Sequence, residues 1–300
     1  MSAPRRVRPG AIVMVTRRTL RRTHLLRPDR QLTALYTYCL AVLAPRYGIL
    51  VHAAVLMSTH EHLVLTDARG QLPRFLQELH RLVALGVKVL RKWEGAVWDH
   101  EKTSVVELLT SQAVIEKLAY VMANPVAAGL VARARQWPGL HTTPEQLGRA
   151  RHTAARPGYY FDEDNPSWPK TATLELTMPA LGMRDLDVRQ SVQQELDALE
   201  LAARNQVHKN GWRFLRSERL TTLSPYDRAK SFEPLRGRNP TLAVGRGQRQ
   251  AFLEAVLALR IFRRAYRLAL DHWRTGARNV LFPPGTWLMH WLHRVDTVPT

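Results

Sequence analysis

Hydrophobic and polar positions follow two rhythms along this chain, and the first 150 residues switch between them repeatedly. Residues 11–16, Ala-Ile-Val-Met-Val-Thr, are β-rich and predict a strand. Pro28-Asp29 opens a helix over residues 30–44, which Pro45 stops. Residues 49–57 are apolar throughout and predict a second strand, Ser58-Thr59 a turn, and the alternation over 60–66 a third strand. Residues 67–70 break it, and 72–93 read as a long helix. Val97-Trp98 and residues 103–109 predict a fourth strand or hairpin. Ser111 then caps a helix ending at Asn124-Pro125, because a residue before proline is pushed out of the helical region. The order β-α-β-β-α-β-α describes an α+β fold, a ferredoxin-like antiparallel sheet with helices.

The pattern changes character further on. Residues 156–169 are rich in Pro, Gly, Asp and Asn and read as a linker. The chain therefore divides into a domain over 1–150 and a mixed, mainly helical, basic extension over 151–300. In that extension residues 171–178 predict a strand, 185–206 a helix and 234–247 a basic Gly/Pro loop. Residues 248–273 predict a helix with Phe252, Val256, Leu259, Phe262, Tyr266, Leu270 and Trp273 spaced by threes and fours. Arg260, Arg263, Arg264 and Arg267 decorate it, as a solvated face or a DNA surface.

Composition narrows the class. An apolar share of 45% over 300 residues can build one or two cores, which excludes disorder for most of the chain. No apolar run approaches the roughly 18 residues of a membrane span, and the run after the basic start is too short for a signal peptide. The single Cys39 allows neither an internal disulfide nor a cysteine metal cage. The expectation is a cytoplasmic protein without a membrane partner, monomeric or homodimeric.

Charge supplies the first functional statement. Lys and Arg number 44 against 25 Asp and Glu, a net charge of +19, and 37 of the 44 are Arg. The guanidinium fork donates two parallel hydrogen bonds to phosphate, so a nucleic-acid partner leads. Codon bias in a GC-rich genome is the bland alternative. Distribution argues against it: residues 1–30 carry nine arginines against one acid, Asp29. Within this N-terminal arm Arg17, Arg18, Arg21 and Arg22 are the expected DNA contacts.

Two constellations could carry chemistry. His60-Glu61-His62 lies on a predicted strand, where residues two apart share a face, so both imidazoles could ligate one divalent ion. Alone, the motif is weak and reads sooner as two unrelated surface or core histidines. Tyr120 and Asn124 share a helix face at i and i+4, with Glu116 and Lys117 close by. Val114, Leu118, Val121 and Met122 form the apolar stripe on another side. A structural tyrosine belongs in that stripe, whereas this one stands beside an amide that could bind metal and a lysine that could meet phosphate. The alternative is an exposed tyrosine on a surface helix. Combined, the parts make a mechanism in which His60, His62 and Asn124 hold Mg²⁺ or Mn²⁺ and the Tyr120 oxygen attacks a phosphodiester.

The run Val55-Leu-Met-Ser-Thr-His60-Glu-His62-Leu-Val-Leu65 resembles the His-hydrophobic-His signature of single-tyrosine HUH transposases. Tyr120-Val-Met-Ala-Asn124-Pro-Val-Ala-Ala-Gly-Leu-Val131 resembles the tyrosine helix of their REP-associated tyrosine transposase group, and Trp98 with residues 104–108 fits between. The resemblance covers about residues 10–140. It implies an HUH endonuclease fold, metal binding by His60, His62 and Asn124, and cleavage of single-stranded, hairpin-flanked DNA by Tyr120. The products would be a 5′-phosphotyrosine and a free 3′-hydroxyl, the chemistry of DNA transposition. The C-terminal half, ending in Phe-Pro-Pro-Gly-Thr-Trp at 282–287, resembles extensions on some bacterial members.

Two positions depart from the pattern. Thr59 stands where the family usually has Asn, and Glu61 where the middle residue is apolar. On a strand Glu61 points away from the histidines, toward the core. A buried unpaired carboxylate is costly, so Glu61 is expected to reach solvent, pair with Arg, or mark a decayed enzyme. The competing functions are therefore a non-catalytic hairpin-DNA-binding descendant and, disfavoured by charge, a His-x-His hydrolase unrelated to DNA.

Overall fold

The computed structural model describes residues 4–101, 103–215, 217–230 and 240–298. The first part runs β1 (Ala11–Arg18), α1 (Arg30–Tyr47), β2 (Ile49–Leu56), β3 (His60–Asp67), α2 (Leu72–Arg91), β4 (Ser104–Leu108) and α3 (Ser111–Ala127). The Asp29 carboxylate accepts from the Leu32 amide and starts α1, and Gly48 at φ +67° closes it. Thr110, one residue earlier than expected, caps α3 by accepting from the Ala113 amide. Both prolines expected to stop helices, Pro45 and Pro125, lie inside them. Each falls in the last turn, where the proline forfeits only its own i→i−4 bond and little helix follows it to be disrupted.

The sheet order is β2-β3-β1-β4-β7, with β1 antiparallel to both β3 and β4, and β2 antiparallel to β3. The first four strands thus form two split βαβ units, the ferredoxin-like connectivity. β1 runs two residues beyond the expected strand because β3 supplies partners, Glu61 for Arg17 and His60 for Arg18. The arginine-rich arm is consequently the central strand and the loop after it. Val97-Trp98 forms no strand; Trp98 makes an isolated bridge to Thr19.

Both faces of the sheet are covered, which is why β2 and β3 read as nearly unbroken apolar runs. One core lies between the sheet, α1 and α2, around Val15, Leu35, Leu63, Phe75 and Leu79. The other lies under α3, around Val64, Val106, Leu118, Val121 and Met122. An extra residue in β2, His52, falls at a register shift, and the strand's inward positions change core there: Val51 joins the first, Ala53 and Val55 the second.

The later elements build onto this frame. β5 (Arg151–Ala155) and β6 (Thr171–Glu175) pair antiparallel and pack on α1. The stretch expected to be a linker is their connecting loop, fastened where Tyr38 donates to the Pro169 carbonyl (2.7 Å) and Phe161 packs on the Tyr38 ring (5.0 Å). Its buried aromatic outweighs its turn-rich composition. α4 (Asp185–Lys209) lies against α3, burying Val188, Val192 and Leu196 in the second core. α5 (Ser217–Thr222) follows. The expected loop over 234–247 lies partly outside the described residues; its described end forms β7 (Leu242–Ala243), parallel to β4, so the five-stranded sheet is mixed rather than purely antiparallel. α6 (Arg249–Arg274) and α7 (Leu288–His293) gather a separate small cluster around Phe282 and Met289. No helix among the described residues is long and apolar enough to cross a membrane.

Candidate metal and nucleophile site

Strand alternation sets the two faces of β3. His60, His62 and Val64 share the α3 face, while Glu61, Leu63 and Leu65 face α1 and α2. Cross-strand register places Arg18 beside His60 and Thr16 beside His62 on β1. The two imidazole rings stand 4.7 Å apart at 87°, and α3 brings the Tyr120 ring to 5.8 Å from His62. Lys117, one turn back, holds its ammonium 5.3 Å from the Tyr120 ring centre. The structure therefore gathers His60, His62, Tyr120 and Lys117, from elements more than fifty residues apart in sequence. Asn124 is one turn further along α3, its amide nitrogen donating to the Tyr120 carbonyl (3.0 Å). That bond leaves Oδ1 as the atom an ion would use.

The donor set suits a divalent ion. His62 Nδ1 meets the Thr16 hydroxyl at 2.8 Å and His60 Nδ1 meets the Thr59 hydroxyl at 3.0 Å. A histidine held through Nδ1 turns Nε2 to the opposite side of its ring, and the hydroxyl partner fixes the ring plane. Among the described residues no three His, Cys, Asp or Glu side chains converge as a metal cage. The residues that could hold an ion here are His60 and His62 on β3, with Asn124 on α3 carrying an amide oxygen; a mixed nitrogen and oxygen set of that kind is one Mg²⁺ or Mn²⁺ accepts.

Glu61 resolves in a way the sequence did not indicate. Its side chain is 0% exposed, and among the described residues its ion-pair partner is His80 and not an arginine. It accepts from Tyr36 Oη at 2.8 Å and from His80 Nε2 at 2.6 Å. Trp98 supports the cluster, donating its indole N–H to the His80 carbonyl (2.8 Å). Burial and the neighbouring carboxylate push the Tyr36 phenol well above its ordinary pKa, so it stays a donor.

The predicted DNA-contact arginines divide by face. Arg17, opposite Glu61, donates to the carbonyls of Asp99 and Glu101 and to the Thr103 hydroxyl, holding the loop before β4. Desolvation lowers its pKa, with Glu61 and Asp99 pulling the other way. Arg18 shares the histidine face. Arg21 and Arg22 stand in the following loop with φ of 54° and 56°, a left-handed conformation costly for side chains with a Cβ. Sequence reasoning missed Thr16, Tyr36 and His80. His80 did leave a signal, a polar residue within the apolar stripe of α2.

No family model matches the chain, and no curated protein matches it. Among solved structures, it is similar to a REP-associated tyrosine transposase bound to a REP hairpin, at 18% identity over 50% of this chain and 87% of that one, with a TM-score of 0.41. It is also similar to a proposed transposase from Deinococcus radiodurans R1, at 19% identity over 35% of this chain and 85% of that one, with a TM-score of 0.28.

Proposed function

We propose that the chain is a metal-dependent nuclease and strand transferase acting on single-stranded, hairpin-flanked DNA. Within that class it would be a single-tyrosine HUH transposase of the REP-associated kind, with Tyr120 as nucleophile. One observation carries the reading: a tyrosine on α3 and a histidine pair on β3 meet on one sheet face, the tyrosine ring 5.8 Å from His62. Nothing in core packing requires that three such side chains meet, whereas phosphoryl transfer does.

In this reading His60, His62 and Asn124 would hold the ion, which supplies Lewis-acid polarisation of the scissile phosphate. Thr16 and Thr59 hold the imidazoles in orientation. Tyr120 Oη forms a new bond to phosphorus as the P–O3′ bond breaks; the phenol gives up its proton and the departing 3′ oxygen takes one. Lys117 offsets charge on the non-bridging oxygens. Attack by a 3′-hydroxyl on the phosphotyrosine reverses the step and joins strands. The decayed-protein alternative drew on Thr59 and Glu61; the carboxylate has two donors and is satisfied where it stands, so Glu61 lends that alternative no support.

Incubation with an end-labelled single-stranded hairpin and Mn²⁺ tests the proposal. The expected product is an SDS-resistant adduct that mass spectrometry assigns to Tyr120, absent in Tyr120→Phe while hairpin binding persists. Adduct formation by Tyr120→Phe would reassign the nucleophile.

A further inference from the structure

Beside the histidine pair, three loops from distant parts of the chain are bonded together. The loop after β1 lies against the start of β3: the Thr19 amide donates to the Thr59 carbonyl (2.8 Å) and the Leu26 amide to that of Ser58 (3.0 Å). The loop after α2 joins it where the Leu20 amide donates to Val97 and the Asp99 amide to Arg18. A segment of the extension, residues 224–230, then docks on the same loop. The His24 amide donates to the Asp227 carbonyl (2.8 Å), the Ala229 amide to that of Arg22 (3.0 Å), and Thr23 bridges Arg228. The left-handed backbone at Arg21 and Arg22 immediately precedes this docked stretch, and such strain persists only where surrounding bonds hold it.

This junction places two aromatic rings in a stack. Trp93 and Tyr226 lie 6.3 Å apart at 24°, and Tyr226 is 53% exposed. Neither ring is loose. The Tyr226 hydroxyl donates to the Arg91 carbonyl (2.6 Å), and the Trp93 indole N–H to that of Ala96 (3.1 Å). Both polar ends are pinned; Trp93 is partly buried against the first core, while Tyr226 keeps ring surface open to solvent. With Arg18 at the end of β1, the three loops carry Arg21, Arg22, Arg27, Lys92, Arg228 and Lys230, against the acids Asp29, Glu94, Asp99, Glu101 and Asp227.

We infer that Trp93 and Tyr226 form a stacking platform for bases of single-stranded DNA, with Arg21, Arg22 and Arg228 meeting the flanking phosphates. Every base has a π face, so pre-oriented aromatics set among cations bind a single strand irrespective of sequence. Duplex DNA keeps its bases stacked inside and gains nothing from the rings. The loop after β1 ties the segments of this junction to the Thr59-His60 end of β3, through the Thr19–Thr59 and Leu26–Ser58 bonds. The inference rests on the DNA reading above but does not need cleavage. It also gives the extension a role, because half of the platform comes from residue 226.

The test uses the full chain and a fluorescein-labelled oligothymidylate of about 12 nucleotides, followed by anisotropy. Losing one stacked base should weaken binding about 5- to 150-fold in Tyr226→Ala and in Trp93→Ala, with the slope of log K against log salt unchanged. Tyr226→Phe keeps the ring and should retain most of the affinity, which separates stacking from loss of the Arg91 bond. Arg228→Gln should instead flatten the salt slope by about 0.7. Photocrosslinking with a 5-iododeoxyuridine oligonucleotide should label residue 93 or 226. Unchanged affinity in both alanine variants, crosslinks confined elsewhere, or wild-type binding of duplex but not single strand would overturn the platform. A protein that binds single strands through Tyr226 yet yields no Tyr120 adduct would keep the platform and sink the nuclease reading.

Discussion

The two faces of β3 are built from alternate residues of one eight-residue strand, yet they behave as different materials. Toward α1 and α2, Glu61 is sealed from water and bonded to Tyr36 and His80 among leucines. Toward α3, His60 and His62 are tied to threonine hydroxyls and meet the Tyr120 ring, with His60 partly open to solvent. Polar groups on the closed face bond only to one another, and removing one strands its partners. Polar groups on the α3 face are oriented by threonine hydroxyls and stand against the Tyr120 ring. Burial alone does not separate them, since His62 is also 4% exposed; what separates them is the company each keeps, a carboxylate between two donors on one face and two imidazoles beside a tyrosine on the other.

Substitutions can break that contrast. The largest effect should be on the α3 face: His60→Ala or His62→Ala should take cleavage to background while hairpin affinity stays within severalfold, because phosphate contacts dominate affinity. Retained wild-type cleavage in the double variant would place the reaction elsewhere. On the closed face Glu61→Ala should cost about 3–5 kcal/mol of stability in denaturant unfolding, since Tyr36 and His80 lose their acceptor inside the core. A loss below 1 kcal/mol would mean that water enters and the face is not closed.

His52 sharpens the distinction, being a histidine with internal partners throughout. Its Nδ1 donates to the Thr177 carbonyl (3.0 Å) and its Nε2 meets the Thr66 hydroxyl (2.7 Å), and burial pushes its pKa down to about 4. The folded form therefore stays neutral while the unfolded chain takes a proton below pH 6.5. Stability from this group is whole above that value and declines as pH falls toward 4, by on the order of 3 kcal/mol. His52→Gln should flatten the unfolding free energy over that window; an unaltered curve would assign the acid sensitivity to other buried histidines such as His141.

The smallest change is expected at the rim. Replacing Arg18, Arg21 and Arg22 together with Gln should reduce the slope of log K against log salt by about 2 for single-stranded DNA. Arg17→Gln should leave that slope alone and loosen the loop before β4 instead, because its donors are used there. Equal slope changes from both variants would erase the division by face.

Much of this was legible in the chain. Period-two alternation put His60 and His62 on one face and Glu61 on the other, and helical spacing grouped Tyr120, Lys117 and Asn124 away from Val114, Leu118 and Val121. Each inference needed only local geometry. Thr16 was not legible because its meeting with His62 depends on the register between β1 and β3, forty-odd residues apart. Tyr36 and His80 were missed for the same reason: helix packing across the sheet brings them to Glu61. The strand at 97–98 was overread from two apolar residues, and Pro125 was given too much authority over a helix whose last turn is held by packing.

The central place of β1 has a consequence during synthesis. Its two neighbours, β3 and β4, lie at residues 60–67 and 104–108, so the first strand made waits for partners on both sides. At about 5–20 residues per second the wait for β4 alone lasts roughly 4–17 s. Throughout it, Ala11–Thr16 is a short apolar segment with unsatisfied edges, the kind that pairs with copies from neighbouring ribosomes. The arginines on either side repel such copies. In the proposed function these arginines meet a polyanion; in the nascent chain they also work as gatekeepers.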